Sequence, residues 1–267
     1  PPPPPHSPPP APPPINTMVS SSAASDVYKR QAVELARMGA GVALMARGAE
    51  GLAATAAAIH DQGGRAWAFV GDVAIHADCA RCVEDTIDHF GRLDGIVNNA
   101  GILAPLDTTA HADPEAWQRN LLVNVAGPFN LIHVALPELK RRRGRVVNVS
   151  SGAAEVVIQA AGAYCAAKAA LNHFTRVLAA EEPEITVVAM RPGVVDTAMQ
   201  QMLRDQGPGV MPGNQAAYYQ DLKTDNRLEP PVVPGRALSW LALLAPRAWS
   251  GRYMSYDDPE LLAALKR

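Results

Sequence analysis

The chain has 267 residues, of which 48% are hydrophobic and 19% are charged, and its formal net charge is −2. This length and composition predict one globular domain with a sizeable core, and they exclude the strongly basic surface of a nucleic-acid-binding protein. No apolar run reaches the roughly 18 residues of a transmembrane helix, so we expect no membrane partner.

Three cysteines occur, at Cys79, Cys82 and Cys165. A sparse, odd number argues against a secreted disulfide framework and favours a reducing, cytoplasmic compartment. The spacing of Cys79 and Cys82 also occurs in redox and zinc sites, but a zinc site needs a second pair of ligands, and none follows at suitable spacing. We therefore predict no metal site and expect one buried helical stripe of Cys79, Val83, Ile87 and Phe90.

The first 31 residues differ in character from the rest. Residues 1–14 hold 11 of the 24 prolines, which favour an extended polyproline II conformation over a packed element. Residues 21–31 read SSAASDVYKRQ, and in one reading frame all eleven match a translated transposase adapter used in DNA sequencing libraries. Added segments of this kind are left out of fold reasoning. We predict a non-native or disordered tail over residues 1–31 and a single domain over residues 32–267.

From Ala32 onward, apolar strands alternate with amphipathic helices. Residues 32–40 read as the end of a helix stopped by glycine. The strands that follow are predicted at 42–46, 66–70, 95–98, 145–149, 185–190 and 252–255, and the helices at 50–62, 75–91, 114–142, 163–182 and 236–244. This alternation predicts βαβ units in an α/β, doubly wound parallel sheet of Rossmann type, with helices on both faces.

Two further features follow from the same pattern. In the long helix predicted at 114–142, apolar residues at steps of three and four, including Phe129 and Ile132, indicate a core face. Residues 197–230 are rich in Gln, Gly and Pro and lose the alternation, which predicts a substrate lid over this range.

Ligands bind such sheets at the carboxyl ends of the strands. Arg47 follows the first predicted strand, where an acid would accept from a free ribose 2′-hydroxyl and a guanidinium would instead pair with a 2′-phosphate. This favours NADP over NAD, the alternative being a solvated loop cation. Asp72 ends the next strand, where its carboxylate can accept from an adenine amino group or cap the following helix. The sequence Asn98-Asn99-Ala100-Gly101 suits a close backbone approach to a ligand, or an ordinary turn.

Tyr164 and Lys168 lie four residues apart on a predicted helix and therefore share one face. The ammonium group can lower the pKa of the phenol from its usual value of about 10 towards neutrality. A phenol tuned in this way is a credible general acid. Pairs with this spacing also arise by chance, so the surrounding sequence has to decide between the two interpretations.

Several short segments appear in a characteristic order: residues 98–101, Asn124-Val-Ala-Gly127, Ser150-Ser151, residues 164–168 and Pro192-Gly193. Together they resemble the short-chain dehydrogenase/reductase family over about residues 32–256. The resemblance implies a catalytic tetrad of Asn124, Ser151, Tyr164 and Lys168. In that tetrad Ser151, rather than Ser150, binds the substrate carbonyl, and Tyr164 transfers a proton. Lys168 holds the nicotinamide ribose and lowers the tyrosine pKa, and Asn124 anchors a water leading to solvent.

The resemblance also implies where the cofactor lies. It places Asp72 and Val73 at the adenine, Asn98, Ala100 and Gly101 along the adenosine, and Pro192, Gly193, Val195 and Thr197 around the nicotinamide. It implies an oxidoreductase that transfers a hydride between NADP(H) and a small carbonyl or alcohol, and a homodimer or homotetramer formed through the long helices. NAD-dependent alcohol oxidation, or an inactive domain acting in protein interactions, are the alternatives.

The sequence departs from the family at its beginning. Family members start with a strand followed by T-G-x-x-x-G-x-G, whose glycines let the backbone approach the pyrophosphate at a helix N-terminus. The first glycines here, Gly39 and Gly41, lie beyond the far end of that helix. We therefore predict that the first strand and the glycine-rich loop are missing through N-terminal truncation, and that the chain as written binds cofactor poorly.

Overall fold

The computed structural model describes residues 15–20 and 26–266. Seven strands form one sheet with every pairing parallel, in the order β3-β2-β1-β4-β5-β6-β7. The strands are β1 Asn16–Ser20, β2 Gly41–Ala46, β3 Arg65–Val70, β4 Gly95–Asn98, β5 Arg145–Val149, β6 Thr186–Arg191 and β7 Tyr253–Ser255. The strand order reverses between β1 and β4, which is where a doubly wound sheet opens a crevice at its carboxyl edge.

Helices cover both faces of the sheet. They are α1 Asp26–Arg37, α2 Ala49–His60, α3 His76–Phe90, α4 Pro114–Leu121, α5 Gly127–Arg142, α6 Gly162–Glu181, α7 Ala198–Val210, α8 Gln215–Thr224, α9 Val232–Leu244 and α10 Pro259–Leu265. One apolar cluster joins the sheet to α1, α2, α9 and α10, and a second joins it to α3, α5 and α6. Cys79 and Val83 are buried in the second cluster, as predicted, and Ile87 and Phe90 are partly buried against it. Cys82 is fully buried there as well. Within the described residues, no helix has the length and apolar character that crossing a bilayer requires.

The central strand corrects one expectation. The first strand is not missing, since β1 pairs with both β2 and β4 and all five of its residues are buried. Met18 packs into the cluster on one face of the sheet and Val19 into the cluster on the other. Without β1, two rows of backbone N–H and C=O groups on β2 and β4 would stay unpaired, which is costly in a buried sheet. The adjoining residues 21–25, where a glycine-rich loop would fall, lie outside the described residues.

The long helix contains a π-helical turn, Leu122–Ala126, between α4 and α5. Phe129, predicted to face the core, is 48% exposed. The inward face instead carries Asn120, Asn124 and Asn130 beside buried leucines, and Asn130 Nδ2 donates to the carbonyl of Val73 at 2.9 Å. Amides satisfied in this way are tolerated in a core, but they interrupt the apolar period from which the core face was predicted.

Two helices, α7 and α8, make up most of the segment predicted to be a lid. They contribute Leu203 and Tyr219 to a third apolar cluster, which also contains Tyr164 and Met211, the residue after α7. The two ends of the segment meet where Val195 pairs with Glu229 in an isolated parallel bridge. Tyr256, just after β7, donates its hydroxyl to Glu229 Oε1 at 2.5 Å, and this bond ties the base of the segment to the sheet.

Candidate active site

A cavity of about 480 Å³ lies at the carboxyl ends of β4, β5 and β6, beside α7 and α8. Ser151, Tyr164 and Lys168, predicted from separate parts of the sequence, all line it. Much of the remaining wall is apolar or aromatic, with Leu103, Val156, Ile158, Leu203, Tyr218 and Tyr219 among the lining residues. The cavity therefore combines a small polar group of titratable side chains with an apolar body, as binding sites for small organic molecules commonly do.

The two serines after β5 have different partners. Ser150 donates its hydroxyl to Asn172 Oδ1 at 2.6 Å. Ser151 Oγ accepts from the backbone N–H of Ala153 at 3.1 Å, and the Ser151 hydroxyl lowers the pKa of the Tyr164 phenol. The two serines therefore differ: the hydroxyl of Ser150 is bound to Asn172, and that of Ser151 acts on the phenol.

Burial acts on Tyr164 and Lys168 in opposite senses. It raises the pKa of Tyr164 to about 12, although the nearby Ser151 hydroxyl lowers it in part. It lowers the pKa of Lys168 to about 8. The ammonium nitrogen lies 5.5 Å from the centre of the Tyr164 ring and donates to the carbonyl of Val149 at 2.8 Å. The pKa of Tyr164 therefore lies above its usual value, with loss of solvent as the largest cause.

Asn124 lies in the π-helical turn, just behind the cavity wall. Its Oδ1 accepts from the Ile102 N–H at 3.3 Å, and its Nδ2 donates to the Ile102 carbonyl and to Asn120 Oδ1, both at 2.8 Å. A Cβ on Gly101 would lie 2.8 Å from Asn124 Oδ1 and 3.6 Å from Lys168 Nζ. Glycine at this position therefore allows the turn after β4 to approach both side chains.

Asn120 completes this arrangement and was missed by the sequence analysis. Its Nδ2 lies 3.1, 3.2 and 2.7 Å from the carbonyl oxygens of Ile102, Leu103 and Ala104. One amide therefore fixes a turn that supplies Leu103 to the cavity wall. The only signal in the sequence was its position one helical turn before Asn124.

Four residues predicted at the nicotinamide, namely Pro192, Gly193, Val195 and Thr197, line the cavity after β6. Gly193 has a φ of +78°, and a Cβ there would lie 2.6 Å from the Tyr256 ring. Thr197 Oγ1 accepts from the Gln200 N–H at 3.4 Å and caps α7. The Gln200 side chain is 3% exposed and lines the cavity, and neither its Oε1 nor its Nε2 has a partner among the described residues.

Of the residues predicted near the adenosine, Gly101 lines this cavity, whereas the others do not. Arg47 is exposed directly after β2. Asp72 Oδ1 accepts from the Ala74 N–H at 2.9 Å, and Oδ2 pairs with Arg119, so both carboxylate oxygens are bound within the chain. Val73 and Ala100 belong to the apolar core. Asn98 Nδ2 donates to Asn148 Oδ1 at 2.8 Å, while its own buried Oδ1 has no partner among the described residues.

Two residues around β7 also went unpredicted. Tyr253 donates its hydroxyl to the Ser151 carbonyl at 2.9 Å and so holds the backbone of that serine. Tyr256 lines the cavity against Gly193. Tyr253 lies in the strand that sequence analysis placed last in the chain and Tyr256 directly follows it, but no motif marked either side chain.

A family model described as short chain dehydrogenase matches residues 23–207. The chain belongs to this family. The parallel Rossmann-type fold and the oxidoreductase class predicted from the resemblance are thereby confirmed. The family binds NAD or NADP.

Relatives and solved structures agree with this assignment. An uncharacterised oxidoreductase of Saccharomyces cerevisiae, YIR035C, is 38% identical over 201 residues, which cover 74% of this chain and 79% of the relative. A benzil reductase of the same yeast is 37% identical over 201 residues, covering 71% and 76%. The crystal structure of YIR035C superposes with a TM-score of 0.88 at 33% identity, covering 93% and 98% of the two chains. That of the enzyme KRED1-Pglu gives 0.85 at 34% identity, covering 90% and 99%.

The two ends of a dinucleotide fit this chain unequally. Near β6, the cavity contains the Gln200 amide, which has no partner among the described residues, and Gly193, whose backbone is in the left-handed conformation. Both features suit a polar ring that approaches the backbone closely. Near β1, the sequence from Ser20 to Arg37 contains no glycine, whereas a close approach to a pyrophosphate is usually made by glycines. The nicotinamide end therefore fits, and the phosphate end lacks its usual residue type.

Proposed function

We propose that this chain reduces the carbonyl group of a small ketone or aldehyde with NADP(H), with Tyr164 as the proton donor. The observation that carries the proposal is the convergence of Ser151, Tyr164 and Lys168 on one cavity with an apolar body. A hydroxyl donor, a phenol acid and a buried amine suit the stabilisation of an oxygen that gains negative charge.

Each side chain has a distinct task in this mechanism. The bound cofactor supplies the hydride. The Ser151 hydroxyl and the Tyr164 phenol donate to the substrate oxygen, and the phenol proton moves to that oxygen. Because burial disfavours the tyrosinate that remains, Lys168 and Ser151 have to stabilise it. Lys168 uses one of its N–H bonds on Val149, which leaves others for the tyrosinate and the ribose.

We propose NADP rather than NAD because of Arg47. It is the exposed residue that directly follows β2, and neither it nor Ala46 is an acid that would favour a free 2′-hydroxyl. Comparing kcat/KM for NADPH and NADH with one carbonyl substrate tests this choice. Preference for NADH would favour the alternative, an NAD-dependent alcohol dehydrogenase.

We propose a substrate with an apolar or aromatic body. Tyr218, Tyr219 and Leu203 supply such a surface along the cavity. A relative that is 37% identical is named as a benzil reductase, and benzil is an aromatic diketone, which supports this class of substrate. The segment over residues 197–230 would act as the lid over it.

Substitution of Tyr164 by Phe tests the proton donor. We expect kcat for methyl benzoylformate with NADPH to fall by about 10²- to 10⁴-fold, since that is the usual contribution of a positioned general acid. NADPH affinity, measured by fluorescence titration, should change little. Tyr218→Phe removes a phenol that is 48% exposed and serves as the control, with at most a fewfold effect expected. Full turnover by Tyr164→Phe would contradict the mechanism.

We further propose that the protein is cytoplasmic and assembles as a homodimer or homotetramer through α4, α5 and α6. Leu122 in the π-helical turn, Phe129 on α5 and Val177 on α6 are 46%, 48% and 38% exposed, which is a high exposure for large apolar side chains. Sedimentation of the full chain would show the assembly.

We retain the proposal that residues 1–31 are not native, because residues 21–31 match the adapter translation throughout. Reading the gene from well upstream of the Ala32 codon tests it directly. A glycine-rich loop in that read would support the proposal, and the same SSAASDVYKRQ sequence would refute it. In the latter case the lack of glycine favours a second candidate function, an interaction protein without cofactor.

A further inference from the structure

Three side chains that line the cavity carry charge, namely Lys168, Arg191 and Asp257. Lys168 donates to the Val149 carbonyl, and Asp257 accepts from the Ser255 hydroxyl. The Arg191 guanidinium makes no hydrogen bond or ion pair with any residue that the structure describes. Among the described residues, it is therefore the charged side chain of this cavity that has no hydrogen-bond or ion-pair partner.

Arg191 lies close to the proposed reacting groups. It is the last residue of β6, is half-buried, and pairs with Ser255 of β7. Its Nη1 lies 3.9 Å from where a Cβ on Gly152 would be, and Gly152 directly follows Ser151. The guanidinium is therefore placed beside the serine that is proposed to bind the substrate oxygen.

The neighbouring phenols do not satisfy the guanidinium. Tyr253 donates to the Ser151 carbonyl and Tyr256 donates to Glu229. Burial raises the pKa of both phenols, and the positive charge of Arg191 offsets part of each rise, which agrees with its position between them. Glu155 also lies near Tyr253, but its side chain is exposed and forms no ion pair with Arg191.

A guanidinium keeps its charge at every accessible pH and presents five N–H donors in one plane. A half-buried guanidinium has lost part of its hydration shell. No anion among the described residues compensates for that loss at Arg191. The ligand that matches its geometry best is a carboxylate, which accepts two parallel N–H bonds.

We propose that Arg191 binds a carboxylate of the substrate, so that the preferred substrate is a small keto acid rather than a neutral ketone. This inference rests on the proposed carbonyl reduction. The hydride adds to the keto carbon, the Tyr164 proton goes to the keto oxygen, NADPH is oxidised to NADP⁺, and the carboxylate is unchanged. Because Arg191 lies beside the Ser151–Gly152 backbone, the carboxylate is a few bonds from the keto carbon.

Benzoylformate and its methyl ester provide a matched test, since they share one aryl ketone and differ in the carboxylate charge. With saturating NADPH, we expect the full chain to show a higher kcat/KM for the acid. The acid-to-ester ratio is kcat/KM for benzoylformate divided by kcat/KM for its methyl ester. We expect Arg191→Met to lower this ratio by at least about tenfold, which is the effect of losing one charge-assisted contact. Arg191→Lys keeps the charge and should retain much of the ratio.

Arg227→Met is the matched control. Arg227 is 52% exposed, pairs with Asp225 and does not line the cavity, so its loss removes the same charge elsewhere. Its acid-to-ester ratio should stay within about twofold of the starting chain, as for a surface charge screened by solvent. Circular dichroism of every variant shows whether it has folded.

The outcomes separate the two proposals. Reduction of the ester without preference for the acid, or an equal ratio in Arg191→Met and Arg227→Met, overturns the role of Arg191 and leaves carbonyl reduction standing. If a folded chain reduces neither compound, the proposed function fails, and calorimetric titration with benzoylformate decides the role of Arg191. Binding lost in Arg191→Met but kept in Arg227→Met supports it, while equal binding, or none to the starting chain, overturns it.

Discussion

Burial gives the site its two most perturbed titratable groups. Tyr164, with a pKa of about 12, resists losing its proton, and Lys168, with a pKa of about 8, gives up its proton readily for an amine. The phenol therefore keeps its proton at neutral pH until the reaction begins. Stabilisation of the tyrosinate has to come from contacts made during the reaction, which is consistent with Ser151 and Lys168 lining the same cavity.

The stability of the chain should record the burial of Lys168. The pKa of this residue falls from 10.5 when unfolded to about 8 when folded. Between these pH values the unfolded chain holds a proton that the folded chain has lost, so this contribution to stability rises with pH. Below about pH 8 the folded chain carries the full cost of a buried charge, on the order of 3 kcal/mol.

Lys168→Met should therefore have a higher free energy of unfolding than the starting chain at neutral pH. The loss of one hydrogen bond to Val149 reduces this gain. Its advantage should shrink as the pH rises from about 8 towards 10.5. Urea unfolding at a series of pH values measures the difference. Lys140→Met is the control, because Glu182 raises the pKa of Lys140 and no such trend is expected. A difference independent of pH would contradict the burial argument.

Residue types and spacing were sufficient to predict Ser151, Tyr164 and Lys168, because these side chains follow strands or share a helix face. They were not sufficient for Asn120, Arg191 or Tyr253. Each of these depends on which elements meet in space: Tyr253, for example, reaches Ser151 across a separation of 102 residues. The effect of burial on the tyrosine pKa was also beyond a spacing argument, because spacing carries no information about solvent.

At the scale of elements, the π-helical turn and the turn after β4 act as one unit. The Asn120 amide contacts three consecutive carbonyls, and its Oδ1 accepts from Asn124. Asn120, Asn124 and Leu103 are buried, Ile102 is half-buried and Ala104 is exposed. The position of Asn124, and of the Leu103 wall of the cavity, therefore depends on a residue that does not line the cavity itself.

Asn120→Ala should lower the free energy of unfolding by about 2–4 kcal/mol, because it leaves buried carbonyls and the Asn124 amide without their partner. Asn130→Ala is the matched control, since that amide donates to the single carbonyl of Val73, and its cost should be smaller. Urea unfolding of both variants gives the comparison. Equal costs would show that the contacts of Asn120 beyond one hydrogen bond contribute nothing.

The helices and strands from β2 to β6 could be predicted closely, because each combines a clear period with a glycine or polar boundary. Strand β5, predicted over residues 145–149, has those bounds. The inward face of α5 could not be predicted, since Asn130 interrupts its apolar period and Phe129 lies on the exposed side. Helices α7 and α8 were hidden within a segment whose Gly and Pro content predicted irregular structure.

At the scale of the whole molecule, the sheet depends on β1 more than on any edge strand. Its pairing with β2 and β4 joins the two halves, and Met18 and Val19 contribute to the apolar clusters on opposite faces. The sequence analysis missed this strand because its family signature is absent. Pairing between strands needs only an extended apolar segment, whereas binding a pyrophosphate needs a particular loop.

The requirement for a loop can be tested by restoring its glycines. Substituting Ser21→Gly, Ser25→Gly and Val27→Gly together after Ser20 reproduces the spacing G-x-x-x-G-x-G. Glycine permits the close backbone approach that pyrophosphate binding needs, so we expect NADPH to bind this triple variant at least about tenfold more tightly than the starting chain. The matched control carries Ala at the same three positions, which removes the same side chains without giving glycine's freedom. Fluorescence titration with NADPH compares all three chains. Tight binding by the starting chain, or equal gains in the Gly and Ala variants, would show that the phosphate end of the cofactor site does not depend on glycine here.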